Sequence, residues 1–209
     1  MVAVAVANIK GGSGKTTIAT HLAAWIAASG ASVALADLDR QRSAFTWTQR
    51  RPRDLPVVHG RDLSREWQPL VGFDVIVYDI PAAMKRKDLE ALVDQVDALI
   101  HPVLPSAFDE DGSRRFLDLV TKFKPIRKRC VPIFTVGNRV RLRTVATRRL
   151  ATFLTELEMP PAAMLRDAAA YGALAATGRT LFDDPDPRAQ DLMRDWQPLL
   201  RTIRPMLLG

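Results

Sequence analysis

Residues 8–19 read NIKGGSGKTTIA, and they follow a short apolar run, VAVAVA, at residues 2–7. A glycine-rich turn between an apolar strand and a helix that begins with Gly-Lys-Thr is typical of a phosphate-binding loop. The glycines let successive backbone N–H groups point at phosphate oxygens, at the positive end of the next helix. This stretch predicts a nucleotide site made of Lys10, Gly11, Gly12, Ser13, Gly14, Lys15, Thr16 and Thr17.

Within this loop, Lys15 is placed to reach the β- and γ-phosphates, and Thr16 is placed to ligate Mg²⁺. These two residues therefore predict ATP or GTP as the ligand, bound together with magnesium. A second lysine, Lys10, stands at the other end of the loop, where an ordinary phosphate loop needs no charge.

Outside the loop, short β-branched runs alternate with longer helical patterns along the chain. The apolar runs include SVALADLD, FDVIVYDI, ALIHPVL and VPIFTVGN, and stretches such as KDLEALVDQV and TVATRRLATFLTELE separate them. Near-continuous apolar strands joined by crossover helices predict a mostly parallel sheet covered on both faces. We expect one domain over residues 1–209, an α/β fold with a doubly wound sheet.

Polar residues fall where several of these predicted strands end. In a doubly wound sheet the carboxyl ends of the strands form the ligand site, so we expect Asp37, Asp39, Asp79 and Asn138 to collect there. Asp79 ends a buried strand as a Walker B carboxylate does, and it could hold the magnesium ion. Asp37 and Asp39 either orient an attacking water or simply cap the next helix.

The composition narrows the classes of protein to consider. Apolar residues make up 47% and charged residues 25% of the chain, as in an ordinary globular protein. The lone cysteine, Cys130, excludes an internal disulfide and argues against a redox enzyme with a cluster held by paired cysteines. The sequence offers neither a signal peptide nor a membrane span, so a cytoplasmic location is expected.

Positive charge is concentrated in one segment. Residues 114–149 carry a net charge of +11, whereas the whole chain carries +7, so the remainder is net negative. A local excess of this kind indicates a polyanionic partner, although charge runs are often only solvated surface. The basic residues are Arg114, Arg115, Lys122, Lys124, Arg127, Lys128, Arg129, Arg139, Arg141, Arg143, Arg148 and Arg149.

Five motifs together resemble one family, the deviant Walker A ATPases of the ParA/MinD type. The loop matches that family's K-G-G-x-G-K-[ST], and DLDRQRSAFTW at residues 37–47 is similar to its D-x-D-P-Q-x-S-A-x-x-W. YDIPA, PVLPSAFD and GNRV resemble three further family segments, so the likeness covers nearly the whole chain. The sequence departs from the pattern at Ser13, Arg40, Ile80 and Ala82.

The resemblance implies roles for individual residues and explains the second lysine. It implies that Lys10 reaches the phosphates of the other subunit in an ATP-bound homodimer, while Lys15 serves its own. It further implies that Asp39 orients the water and helps hold magnesium with Thr16 and Asp79, and that Asn138 recognises adenine. The implied cofactors are ATP and Mg²⁺, and the implied activity is a weak, dimer-dependent ATP hydrolysis.

The resemblance also implies partners and a purpose. Short members of the family position a plasmid, chromosome or protein organelle, and a ParB-like or other adaptor stimulates their hydrolysis. The basic segment favours non-specific DNA, contacted by Arg141, Arg143, Arg148 and Arg149, and a nucleoid-associated location. The alternative is a MinD-like protein that touches membrane through its C-terminal helix, where Pro198 and Pro205 are expected to interrupt the helix.

Overall fold

The computed structural model describes residues 1–128 and 130–208, and its strands form a single sheet. The strands are Val2–Val6 (β1), Val33–Asp37 (β2), His59–Asp62 (β3), Val75–Asp79 (β4), Ala98–Val103 (β5), Ile133–Val140 (β6) and Ala163–Arg166 (β7). They lie in the order β3-β2-β4-β1-β5-β6-β7, and every pair is parallel. The predicted fold class is confirmed, and the first strand of the chain lies at the centre of the sheet.

Helices cross over between the strands. They are Lys15–Ala28 (α1), Ser43–Arg50 (α2), Arg86–Val93 (α3), Ala107–Val120 (α4), Lys124–Arg127 (α5), Val145–Glu156 (α6), Ala169–Ala176 (α7), Pro187–Met193 (α8) and Gln197–Leu208 (α9), with a 3₁₀ turn at Leu181–Asp183. Gly30 ends α1 with φ of 90°, in the left-handed conformation that a glycine after a helix adopts at little cost.

Each face of the sheet has its own hydrophobic core, because alternate residues of a strand point in opposite directions. From β1, Val4 and Val6 join the core under α1 and α9, whereas Ala3 and Ala5 join the core under α3 and α4. Burial on both faces explains why β1, β2, β4 and β5 read as nearly continuous apolar runs. This packing holds the carboxyl ends of the central strands at one edge.

The C-terminal helix differs from expectation, because α9 runs continuously across Pro205. Pro198 lies in the first turn, where its missing N–H has no partner to lose. Arg201 and Pro205 are both exposed, so solvent can hydrate the carbonyl that Pro205 leaves without a donor. Burial of the apolar side chains on the opposite face of α9 offsets the roughly 3 kcal/mol by which an internal proline destabilises a helix.

The apolar side chains considered for membrane contact belong to the core. Trp196, Leu199 and Ile203 have no exposed surface, Leu200 is 3% exposed, and Leu207 is 5% exposed. The indole N–H of Trp196 donates to the Tyr171 hydroxyl at 3.1 Å, which fixes the ring inside the domain. Among the described residues, no helix has the length and apolar character needed to span a bilayer.

Candidate nucleotide site

The phosphate loop lies between the end of β1 and the start of α1. Gly12 and Gly14 have φ of 75° and 90°, a left-handed backbone that favours glycine. A Cβ atom on Gly14 would also lie 2.0 Å from Nδ2 of Asn138, so no larger residue fits without moving that amide. Asn138 donates from Nδ2 to the carbonyl of Ser13 at 2.8 Å and thereby ties β6 to the loop.

Lys15 lies inside the loop, with 8% of its surface exposed. Its Nζ donates to the backbone carbonyl of Lys10 at 3.1 Å. Burial lowers the pKa of Lys15, and the nearby carboxylates of Asp79 and Asp39 only partly oppose this effect. A phosphate oxygen in the loop would provide the anion that this buried cation lacks.

Lys10 is positioned by its own backbone and by α4. Its N–H donates to Oδ1 of Asn8 at 2.9 Å, and Nδ2 of Asn8 donates to the carbonyl of Pro102 at 2.7 Å. The side chain of Lys10 lies along α4 at Gly112, where an added Cβ would approach its Cγ to 3.0 Å. The sequence analysis missed Gly112, because nothing in the local pattern relates it to a residue 102 positions earlier.

A hydroxyl and a carboxylate meet beside the loop, as the magnesium interpretation requires. Thr16 donates from Oγ1 to Oδ2 of Asp79 at 2.6 Å. Burial raises the pKa of Asp79 to about 7, and the hydrogen bond from Thr16 only partly opposes the rise. These two side chains fit a magnesium ion bound together with the phosphates. Within residues 1–128 and 130–208, no three His, Cys, Asp or Glu side chains are placed to hold a metal without a nucleotide.

The two aspartates after β2 have different surroundings. Asp37 is fully buried and accepts hydrogen bonds from the N–H groups of Asp39 and Phe45, both at 2.9 Å. Asp37 therefore stabilises the segment that connects β2 to α2, which agrees with the alternative that it caps the next helix. Asp39 is only partly buried, and its Oδ1 accepts from the N–H of Gln41 at 3.0 Å. Its Oδ2 has no hydrogen-bond partner in the described parts of the chain, which suits a group that orients water.

Neutralising Asp79 should stabilise the nucleotide-free protein at alkaline pH. Because its folded pKa is raised above the unfolded value, ionisation of Asp79 costs stability as the pH rises from about 4 to about 7. Asp79→Asn removes this cost and keeps an oxygen for Thr16. We expect a gain of roughly 2–4 kcal/mol at pH 8 and a smaller gain at pH 5. Urea unfolding at both pH values measures it, and a gain independent of pH would contradict this assignment.

A cavity of about 300 Å³ opens on the other side of the loop from Asp79. Thr17 and Asn138 line it, together with Asp167, Tyr171 and Gly172. Its place beside the start of α1 suits the base of a nucleotide whose phosphates lie in the loop. The predicted adenine contact of Asn138 is therefore sterically reasonable, although in this structure its amide N–H₂ is engaged by Ser13.

The predicted DNA-contacting arginines lie after β6, and they differ in how far their guanidinium groups are available. Arg143 lies in the turn after β6 with φ of 63° and is exposed, as is Arg139, which lies within β6 with φ of 51°. Arg141 is 80% exposed and lies 3.8 Å from a carboxylate oxygen of Asp167. Arg148 is also exposed. Arg129, predicted as part of the same basic segment, lies outside the described residues.

Arg149 is engaged differently from the other arginines. Its guanidinium donates to both carboxylate oxygens of Glu110 on α4, at 2.7 to 3.1 Å. The Glu110 side chain is only 11% exposed, so the pair links α6 to α4. Contact with a phosphate would compete with this bidentate pair. The sequence grouped Arg149 with its neighbours because Glu110 lies in a separate segment of the chain.

Residues 4–181 match the family described as the CobQ/CobB/MinD/ParA nucleotide-binding domain. The chain belongs to this family. Family membership confirms the resemblance drawn from the loop and strand motifs, and the chain is a ParA/MinD-type ATPase.

Two family members and one solved structure illustrate the similarity. The chain is 32% identical to the "Maintenance of carboxysome distribution protein A" of Gloeobacter kilaueensis, over 93% of this chain and 95% of the relative. It is 28% identical to the protein of the same name from Halothiobacillus neapolitanus, over 86% and 91%. A Cyanothece McdA variant in complex with ATP has the same fold, with a TM-score of 0.71, 16% identity and coverage of 95% and 96%.

Proposed function

We propose that this family member is a ParA-type ATPase that forms an ATP-dependent homodimer, binds DNA without sequence preference and positions a cargo. A partner protein stimulates hydrolysis and releases the dimer from DNA. The observation that carries the proposal is the hydrogen bond from Asn138 to Ser13, which joins the phosphate loop to the exposed arginines after β6. A conformational change of the loop on nucleotide binding is therefore transmitted through this hydrogen bond to the exposed arginines after β6.

Some of the site residues bind the phosphates and magnesium, and others position the water and the second positive charge for hydrolysis. Lys15 and the N–H groups of the loop bind the phosphates, and Thr16 and Asp79 are placed to hold magnesium, which neutralises phosphate charge. Asp39 orients the attacking water with its free oxygen. Lys10 supplies a second positive charge to the phosphates bound by the other subunit, so turnover depends on dimer formation.

The relatives favour one class of cargo. Both curated relatives bear the name of a carboxysome distribution protein, and they align over nearly their whole length. We therefore assign a carboxysome-type protein assembly as the cargo, in preference to a plasmid or a chromosome. The nucleoid is the surface on which the ATP-bound dimer is retained.

Removing the exposed arginines that are not bound to Glu110 should weaken DNA binding without affecting nucleotide binding. If the dimer neutralises about four to six phosphates, the logarithm of affinity should fall against the logarithm of salt concentration with a slope of about −4 to −5. The triple variant Arg141→Ala, Arg143→Ala, Arg148→Ala should bind every duplex more weakly, and its slope should be flatter. Filter binding of unrelated duplexes across a salt series measures this, with ATP, ADP or no nucleotide.

A matched control removes the same charge from a different surface. Arg188, Arg201 and Arg204 are exposed on α8 and α9. Their triple alanine variant should keep the wild-type slope with ATP. If the wild-type protein with ATP binds none of the duplexes at low salt, DNA is not the surface that this ATPase uses.

A further inference from the structure

His21 lies on α1, one turn after Thr17 of the phosphate loop, and only 1% of its surface is exposed. Its ring stacks on the ring of Trp196, with centroids 5.0 Å apart and planes 10° from parallel. The ring of Tyr171, on α7, lies 5.2 Å away on a tilted plane. The imidazole therefore lies between the start of α1 and aromatic residues from the C-terminal part of the chain.

Both ring nitrogens of His21 have a backbone partner. Nδ1 lies 2.8 Å from the carbonyl oxygen of Thr17, and Nε2 lies 3.3 Å from the backbone nitrogen of Leu181. A carbonyl only accepts and an N–H only donates, so these partners require a proton on Nδ1 and a lone pair on Nε2. Burial lowers the pKa of His21 to about 4, and the hydrogen bond to Thr17 only partly opposes this effect. The ring is therefore neutral at physiological pH, as both partners require.

These hydrogen bonds join two segments that line the cavity of about 300 Å³ suited to the base, called the base cavity below. Thr17 lines it from α1, and residues between 167 and 175 line it from α7 and the segment before that helix. Leu181 begins the 3₁₀ turn that follows α7. The bonds from Leu181 to His21 and from His21 to Thr17 thus connect the end of the α7 segment to the start of α1.

The phosphate-binding part of the loop is held by other contacts. The ammonium group of Lys15 donates to a backbone carbonyl of the loop, and the hydroxyl of Thr16 donates to Asp79. Neither contact involves His21. A substitution at His21 should therefore alter the spacing between α1 and α7 more than the arrangement of donors around the phosphates.

We infer that His21 is a positioning residue for the base of the nucleotide. It sets the distance between the start of α1 and α7, and hence the shape of the base cavity, without touching the nucleotide. A cavity that is already shaped for its ligand has less conformational entropy to lose on binding. The inference rests on the proposed function, which takes the phosphates to lie in the loop, with the base beside them.

The two hydrogen bonds of His21 differ in how easily they are replaced. The carbonyl of Thr17 also accepts from Oγ1 of Thr20 at 3.0 Å. Leu181 is fully buried, so water cannot readily replace Nε2 as the acceptor of its N–H. A buried N–H without an acceptor is costly, so the turn at Leu181 should shift when Nε2 is removed. The bond to Leu181 is therefore the one that should matter.

Three substitutions separate these contacts. His21→Phe keeps a ring against Trp196 and loses both hydrogen bonds. His21→Asn keeps an amide near the position of Nδ1 but is too short to reach Leu181. His21→Gln places an amide oxygen near the position of Nε2, where it accepts from Leu181. Thermal melting checks that each variant is folded, and the comparison of Asn with Gln decides the question even if the Phe variant does not fold.

Isothermal titration calorimetry with Mg²⁺ compares ATP with inorganic tripolyphosphate, which has no base. His21→Phe and His21→Asn should bind ATP about 10-fold more weakly, because misplaced contacts lose much of their value, and should bind tripolyphosphate within about 2-fold of the wild-type protein. His21→Gln should bind both ligands nearly as the wild-type protein does. In steady-state hydrolysis by the Phe and Asn variants, KM for ATP should rise by about 10-fold and kcat should change by less than about 2-fold.

Thr135→Val is the matched control for stability. Thr135 is 1% exposed, and its hydroxyl lies 2.9 Å from the carbonyl oxygen of Met159 and 3.2 Å from that of Pro160. None of these three residues lines the base cavity. The control should melt at a lower temperature and keep the wild-type ratio of ATP to tripolyphosphate affinity. A histidine that only supported the core would give the same result as this control.

The remaining outcomes separate this inference from the proposed function. Equal weakening of ATP and tripolyphosphate by His21→Phe, or a folded His21→Gln that binds ATP as weakly as His21→Asn, would show the inference to be wrong. If the wild-type protein binds tripolyphosphate as tightly as ATP, the base contributes no affinity and only the inference fails. If the wild-type protein binds neither ligand, the proposed function itself is wrong and the inference is wrong with it.

Discussion

Lys15→Ala is expected to reduce nucleotide affinity by about 100-fold or more, whereas Lys10→Ala should bind ATP nearly as well as the wild-type protein. Lys15 is buried within the loop and forms no ion pair with a carboxylate among the described residues, so its ammonium group is available to a phosphate. Hydrogen bonds to charged groups contribute about 1.5–3 kcal/mol each, and two of them account for the expected loss. Titration with a fluorescent ATP analogue measures both variants.

The Lys10 variant should fail at a later step. Its side chain is half-buried along α4 at Gly112, whereas the Lys15 ammonium group lies at the Lys10 carbonyl within the loop. We therefore expect Lys10→Ala to lose the ATP-dependent dimer on gel filtration, or to lose hydrolysis, or both. Lys122→Ala, an exposed lysine outside the site, is the control. Equal loss of nucleotide binding in the Lys10 and Lys15 variants would exclude the role of Lys10 in the other subunit.

Asp39→Ala should hydrolyse ATP about 100-fold more slowly while still binding it. Asp39 has one carboxylate oxygen without a partner among the described residues, and it lies at the same strand edge as Asp79 and Thr16. The variant should accumulate as an ATP-bound dimer, which gel filtration with ATP detects. Phosphate release under excess ATP measures turnover, and an unchanged rate would assign water orientation to another residue.

Asp37→Ala is the informative comparison for Asp39. Asp37 accepts from the N–H of Asp39, just after β2, and from the N–H of Phe45, in the first turn of α2, and Asp37→Ala removes both hydrogen bonds. We expect this variant to melt at a lower temperature, with any loss of turnover accompanying the loss of stability. Asp39→Ala should melt like the wild-type protein. The melting temperatures of the two variants, as well as their rates of ATP hydrolysis, therefore distinguish the role of Asp37 from that of Asp39.

The central strands could be predicted from the sequence because burial on both faces of the sheet requires apolar residues at nearly every position of a strand. Five strands appeared as apolar runs, and the phosphate loop appeared as a spacing of glycines and lysines. Strands β3 and β7 were not predicted. β3 reads HGRD, a polar strand at the edge of the sheet that the described residues form, and it pairs with β2. Its conformation depends on pairing with a distant segment, which a local pattern does not contain.

Interactions between distant segments were also the part of the candidate nucleotide site that the sequence did not predict. Thr16 and Asp79 were predicted together because each occupies a motif position of its own. The contact of Gly112 with Lys10 and the pairing of Arg149 with Glu110 both arise between segments far apart in the chain. Each depends on how the helices pack on the sheet, so only the folded arrangement shows it.

The central position of β1 determines when the nucleotide site forms during synthesis. β1 leaves the ribosome well before its sheet partners, since Val2 pairs with Val75 and Val4 pairs with Ala98. At roughly 5–20 residues per second, those partners follow several seconds afterwards. The loop gains its last support only when Asn138 reaches Ser13. ATP can therefore stabilise the finished domain, but it has no formed site to bind until β4 and β5 have been made.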